Sequence, residues 1–328
     1  MGTCGCQACS ALAPKGEDMA KKPIIAMINQ QSWLEPVGDT LQRWVDQAYT
    51  ASGATGQRIE NILSGTWLGH PLHPALTDVP IGSFTLVATF DGLEAAAGGR
   101  TFARAADATL TVGLAAALAS AVSGLSDWHY TTDEPRRVGL VHGLLNLGAT
   151  ALYTGSLIAR LSGARGWGRG LGFLGYGVVT LAAYLGGELV YHERIGVDHA
   201  PEDAPTEFVA VLDDVDLKEG QPRRVVAQGI PVMLVRQSGR IYALAEHCAH
   251  LGGPLSEGQL KDGYTICPWH GSRFALADGR VLDGPATFDQ PAYQTRVRNG
   301  QIEVGPAYDP AQHEAPRNGE QAPIAAAG

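Results

Sequence analysis

Apolar positions in the middle of the chain run in long unbroken stretches. Residues 79–98, 105–125, 138–159 and 171–192 form four such segments of 20 to 22 residues, joined by short loops that carry arginine. At about 1.5 Å per helical residue each segment matches a hydrocarbon core of roughly 30 Å, so the pattern predicts four transmembrane helices. Glycine and alanine recur at four-residue spacing, as in Gly139 with Gly143 and Gly113 with Ala117 and Ala121, which lets helix backbones approach closely in lipid. A buried soluble bundle would keep a polar face, and the third and fourth segments have almost none.

The pattern changes on either side. Upstream, Leu41, Trp44, Val45, Ala48 and Tyr49 follow helical spacing and predict an amphipathic helix that lies either on the membrane surface or against the bundle. From Phe208 onward, short runs of Val, Ile and Leu are broken by Gly, Asp and Pro, which predicts a small antiparallel β domain. The Pro, Ala, Gln and Asn that follow Gly305 predict a disordered tail. The expected organisation is an N-terminal cytoplasmic or interfacial segment (1–69), a four-helix transmembrane domain (70–196), an all-β domain (207–305) and the tail (306–328).

Composition narrows the function. With 24 Lys plus Arg against 33 Asp plus Glu, a net charge of −9 and no basic run, the chain lacks the electrostatic footprint of a nucleic-acid binder. Five cysteines in 328 residues do not make a disulfide scaffold. Three of them, Cys4, Cys6 and Cys9, have no fourth ligand nearby for a structural zinc. They precede a second candidate initiator, Met19, and Lys15-Gly16-Glu17-Asp18 reads as a translated ribosome-binding site, so residues 1–18 are expected to lie outside the natural product. No secretory signal opens the chain.

The other two cysteines carry the chemistry. Cys248-Ala249-His250 is followed after sixteen residues by Cys267-Pro268-Trp269-His270-Gly271. Two thiolates and two imidazoles would also satisfy a tetrahedral zinc, so ligand count leaves the metal open. The arrangement C-x-H followed by C-x-x-H resembles the Rieske iron-sulfur motif, and Leu251-Gly252-Gly253-Pro254-Leu255, the run from Ile266 to Phe274, and Asp278-Gly279-Arg280-Val281 through Gly284-Pro285-Ala286 resemble Rieske ferredoxin-type domains. The resemblance implies a 2Fe-2S cluster with Cys248 and Cys267 on one iron and His250 and His270 on the other.

Departures from other branches of that family refine the expectation. Rieske proteins of respiratory complexes carry a bracing disulfide; the corresponding positions here are Gly253 and Trp269. They also place a Ser and a Tyr near the cluster; here Ser272 is present and Phe274 stands at the Tyr position. One fewer donor to sulfur predicts a potential in the lower half of the roughly −150 to +300 mV Rieske span. Rieske oxygenases add a large domain with a mononuclear iron, and the 23 residues after Gly305 predict that this chain is no self-contained oxygenase.

The segment from Gly69 to Gly82, which includes His70-Pro71-Leu72-His73-Pro74, resembles the opening of a bacterial four-helix membrane domain family of unassigned function. Four helices put both termini on one side, with His70, His73, Asp127, His142, Glu188 and His192 near the cluster-bearing face. Ionisable groups in a bilayer usually face a bundle interior or a functional cavity. Three readings stay open: a b-type haem site or a quinone site built on His73, His142 and His192, or side chains that pair with one another and cap the helices. On the opposite face Asp91, Glu94 and Asp107 are expected to pair with Arg100 and Arg104. Far-side loops hold five arginines against four near-side ones, so loop charge does not orient the chain. The signal-less N-terminus favours the bacterial inner membrane with both termini and the cluster in the cytoplasm.

The sequence therefore predicts a membrane-anchored one-electron carrier that exchanges electrons with unidentified donor and acceptor proteins. The alternatives are a ferredoxin-fused subunit of a membrane oxidoreductase, or a redox sensor or tether.

Overall fold

The computed structural model describes residues 22–309 except residue 202; Cys4, Cys6, Cys9, Met19 and the tail beyond Asp309 lie outside the described residues. Among those described, seven α-helices precede ten β-strands. The helical half thus exceeds the four helices expected. Three shorter ones, α1 (Pro23–Asn29), α2 (Leu34–Ala51) and α3 (Gly53–Ser64), come before the long α4 (Leu72–Ala97), α5 (Arg100–Trp128), α6 (Asp133–Leu161) and α7 (Arg165–Tyr191). Only α2 shows in the sequence as a clear one-faced pattern. Helix α1 has seven residues, too few for a period to register, and it forms because Ile25 and Ile28 bury against Val138 and Leu185.

The long helices pair α4 with α5 and α6 with α7, and lighter contacts between α5 and α6 and between α4 and α7 complete the packing. Gly113 marks a close crossing, where an added Cβ would sit 2.9 Å from Phe84 and Ser83 of α4. By length and composition α5 and α7 qualify as candidate membrane spans. Helices α4 and α6 are of similar length, and α6 carries six Asp, Glu, Arg and His residues against four in α5.

Polarity in this half is inverted relative to a soluble bundle. Leu118, Leu147, Ile158 and Leu174 point outward, whereas Asp91 and Arg160 have fully buried side chains. The ion pairs at this end differ from those expected. Asp91 meets Arg160, Glu94 meets Arg165, and Asp107 meets both arginines, whereas Arg100 and Arg104 form no such pair among the described residues. Arg160 lies in the last turn of α6 and Arg165 opens α7, so the short turn between them presents both arginines to carboxylates of α4 and α5.

The β half contains two antiparallel sheets. A six-stranded sheet has the order β1 (Val209–Asp213), β10 (Gln301–Ala307), β9 (Ala292–Arg298), β4 (Arg240–Ala245), β3 (Ile230–Gln237), β2 (Arg223–Ala227). A four-stranded sheet follows chain order: β5 (Gln259–Lys261), β6 (Tyr264–Ile266), β7 (Arg273–Ala275), β8 (Val281–Asp283). Alternation along β3 and β4 divides the core: Met233, Val235 and Leu244 face the motif cysteines, and Val232, Leu234 and Ala243 face the opposite side.

Candidate metal centre

The two motif loops leave different sheets and meet at one end of the β domain. The first follows β4 and the second joins β6 to β7. Each closes on itself in the same way. Gly252 N–H donates to Cys248 O (2.8 Å) and Gly271 N–H to Cys267 O (3.1 Å), while Cys248 N–H donates to Gly253 O and Cys267 N–H to Ser272 O. Gly252 and Gly271 sit at φ +78° and +77°, the left-handed region that glycine enters without a Cβ penalty. Sequence spacing alone does not reveal this duplicated turn.

Cys248 and Cys267 are free among the described residues, buried, and near enough for each thiol to act on the other. The partner thiol raises Cys248, with burial adding to the rise, and lowers Cys267 to about 7 against the opposing effect of burial. Backbone amides of His250 and Leu251 point at the Cys248 sulfur and those of Trp269 and His270 at Cys267, favouring the thiolate at each. The His250 and His270 rings lie edge to face with centroids 5.1 Å apart. Burial holds both imidazoles neutral, His250 well below the ordinary histidine value and His270 at about 4, the form that ligates metal. His250 Nδ1 is buried with no hydrogen-bond partner among the described residues. An orphaned imidazole nitrogen beside two sulfurs ringed by amides is a donor set lacking its acceptor, so the residues present fit a metal centre.

The surroundings are closely packed. Phe274 is fully buried in the same core cluster as both cysteines and has no hydroxyl to offer. Ser272 is also buried, its Oγ accepting from Ala286 N–H at 3.0 Å. Gly253 and Trp269 are spatial neighbours: a Cβ at 253 would lie 3.0 Å from the Trp269 ring and 2.9 Å from Cys267 Sγ. His247 stays in the loop, with Gly252 O at 3.4 Å from its Nδ1.

Three residues that the motif does not reveal complete the site. Gln290, 1% exposed, accepts from Ala249 N–H (2.9 Å) and donates to Ala245 O (2.9 Å) and His247 O (2.7 Å), pinning the first loop. Tyr130, between α5 and α6, packs against both imidazoles with centroids 5.4 Å from His250 and 4.9 Å from His270. Its hydroxyl donates to Glu60 of α3. Asn61, next on α3, donates to Asp283 and accepts from Gly284 N–H, both at 2.9 Å. The helical half therefore reaches the imidazole edge directly.

The Rieske [2Fe-2S] domain family matches residues 207–294, and a family described as "Predicted membrane protein (DUF2231)" matches residues 69–199. The ferredoxin component of the naphthalene 1,2-dioxygenase/salicylate 5-hydroxylase systems of a Ralstonia species is 32% identical over 93 residues, 28% of this chain and 88% of that protein. The chain belongs to the Rieske family. Human apoptosis-inducing factor 3 is 34% identical over 128 residues; the match covers 37% of this chain and about a fifth (21%) of that relative. Among solved structures, the ferredoxin of carbazole 1,9a-dioxygenase from Nocardioides aromaticivorans IC177 is 29% identical, covering 31% of this chain and 99% of that one, with a TM-score of 0.30.

In the helical half the three histidines of the expected membrane redox site have different partners. His73 Nδ1 lies 2.8 Å from Ser120 O and so links α4 to α5. His142 Nδ1 lies 2.8 Å from Ala182 O, linking α6 to α7, with Asn146 Nδ2 at 3.1 Å from its Nε2. His192 is exposed at the end of α7, and Glu188 pairs with Lys22. Haem and quinone gain no support. The cavity between the halves, lined by Ser64, Asp127, Thr131, His250 and Phe288 among others, has a volume near 30 Å³, room for about two waters and too small for a quinone ring.

Proposed function

We propose that this chain is a membrane-anchored one-electron carrier, with Cys248 and Cys267 holding one iron of a Rieske cluster and His250 and His270 the other. The observation that carries the assignment is the pair of buried, free thiols on two like-folded loops that also carry two neutral imidazoles in ring contact, one with a nitrogen orphaned among the described residues. When bound, the cluster supplies reversible one-electron redox chemistry. The amides facing the sulfurs stabilise negative charge there, Gln290 holds the first loop in register, and Phe274 excludes water. Anchoring is supported by the inverted polarity of the long helices, since outward leucines and isoleucines with a buried Asp91–Arg160 pair suit a lipid surround.

The ferredoxin relatives are components of dioxygenase systems. In this chain Tyr130 covers the imidazole edge, which favours exchange through the helical half over exchange with a freely docking oxygenase. Visible and EPR spectra of the detergent-purified chain test the reading. The expected result is a reduced-state Rieske signal that Cys267→Ser abolishes while the protein still enters membranes. A tightly bound zinc in place of iron and sulfide, or fractionation as a soluble protein, would overturn it.

A further inference from the structure

Tyr130 does more than cover the site. Its ring touches both imidazoles, and its hydroxyl donates to a carboxylate on another element. That carboxylate, Glu60, is 6% exposed, and no Lys, Arg or His lies within ion-pair distance of it among the described residues. The groups that face it are Tyr130 from the α5–α6 loop, Asp46 and Tyr49 from α2, Asp283 from β8, and Gln57 one turn back on α3, whose amide donates at 3.2 Å; His129, tilted against Tyr130 with ring centroids 3.7 Å apart, places its Nε2 3.6 Å from Asp46. Both charged neighbours are carboxylates. A buried anion among anions, one tyrosine away from a centre that gains negative charge on reduction, is poised to be neutralised by a proton.

We propose that Glu60 is a redox-linked proton site: it binds a proton from solvent more tightly once an electron enters the cluster and releases it on oxidation. The inference rests on the cluster assignment above. Its balance needs only the electron from whatever one-electron donor reduces the centre and a proton from water on the Asp46 side, where the Asp46 side chain is 58% exposed. The carboxylate changes to the acid, and the hydrogen bond from Tyr130 becomes one to a neutral acceptor. Burial already raises the Glu60 carboxyl above its usual range, with Asp46 and Asp283 adding to the rise and Tyr130 opposing it. Across a distance on the order of 10 Å, one added charge at an effective dielectric near 20 changes proton affinity by about tenfold.

The sign follows from linkage. A proton bound more tightly in the reduced state makes the midpoint potential fall as pH rises through the window between the oxidised-state and reduced-state Glu60 values, and leaves it flat on either side. A tenfold difference in proton affinity corresponds to a total fall of about 59 mV for one electron. The test is an EPR-monitored redox titration of the full-length holoprotein from pH 5 to 9, joined to a reduced-minus-oxidised infrared spectrum. The wild type is expected to show the fall and a carboxylic C=O band that appears on reduction. Glu60→Gln should remove both while keeping any alkaline slope from the ligand imidazoles, and Tyr130→Phe, which deletes the opposing hydrogen bond, should move the window to higher pH. A wild-type potential that is flat until the alkaline imidazole region, or an infrared band that survives in Glu60→Gln, would overturn the proposal. Should Glu60→Gln fail to load the cluster, the wild-type titration and the Tyr130→Phe shift still decide. Absence of the Rieske signal in wild type would instead refute the ligand assignment.

Discussion

Replacing Gln290 by Leu keeps a side chain of similar size in a fully buried position and removes three hydrogen bonds to the first ligand loop. The partners are backbone groups: the Ala249 amide and the Ala245 and His247 carbonyls. Leaving a buried donor or acceptor unpaired costs about 1 to 3 kcal/mol. The amide, with a single hydrogen, bears the full penalty, and the carbonyls bear less because each keeps a second lone pair, so the sum is about 4 kcal/mol. That is a large part of the roughly 5 to 15 kcal/mol that stabilises a typical domain. At a urea dependence of about 1.5 kcal/mol per molar, the midpoint should fall by about 2.5 M. The assay is bleaching of the visible absorbance of the holoprotein after fixed incubation across a urea series. The exposed Gln301, changed to Leu, serves as control and should stay within about 0.5 kcal/mol. A Gln290→Leu midpoint within about 0.3 M of wild type would show that the loop is held by the motif turns alone and refute the reasoning.

Other expectations follow from contacts on the same scale. Gly253→Ala places a Cβ 2.9 Å from Cys267 Sγ and should lower iron and sulfide content per chain, whereas Gly239→Ala, at a left-handed turn with open space around it, should cost about 1 kcal/mol in stability and leave iron content unchanged. Arg160→Met strands the buried Asp91 and should destabilise the helical half by about 3 to 5 kcal/mol in thermal scans in detergent, with Asp91→Leu added to it restoring much of the loss. Asn61→Ala removes both hydrogen bonds to the Asp283–Gly284 corner and should speed hydrogen exchange of α3 by about tenfold or more while the cluster remains bound. The midpoint potential at neutral pH should fall in the lower half of the Rieske span, because Phe274 offers no donor; a value well above about +150 mV would contradict this.

Much of this protein is legible in its sequence because the signals are local. Two C-x-H-type spacings identify the candidate ligands, alternating short runs identify a β domain, and segments of 20 or more apolar residues identify the four long helices. Each is set by backbone period or ligand chemistry within a few residues. Tertiary structure decides what depends on long-range approach. Gln290 lies 41 residues from the amide it satisfies, and Glu60 lies 70 residues from the tyrosine that donates to it. A lone Gln or Glu in a polar context carries no periodic signature. The same holds for Arg160 and Arg165, which take the carboxylates that proximity in sequence would assign to Arg100 and Arg104. Charge pairing is set by which helix ends meet, and only packing of the bundle determines that. The contact of Tyr130 with both imidazoles is of this kind as well: the sequence supplies a metal site and a helical domain, and their packing makes the tyrosine part of the site.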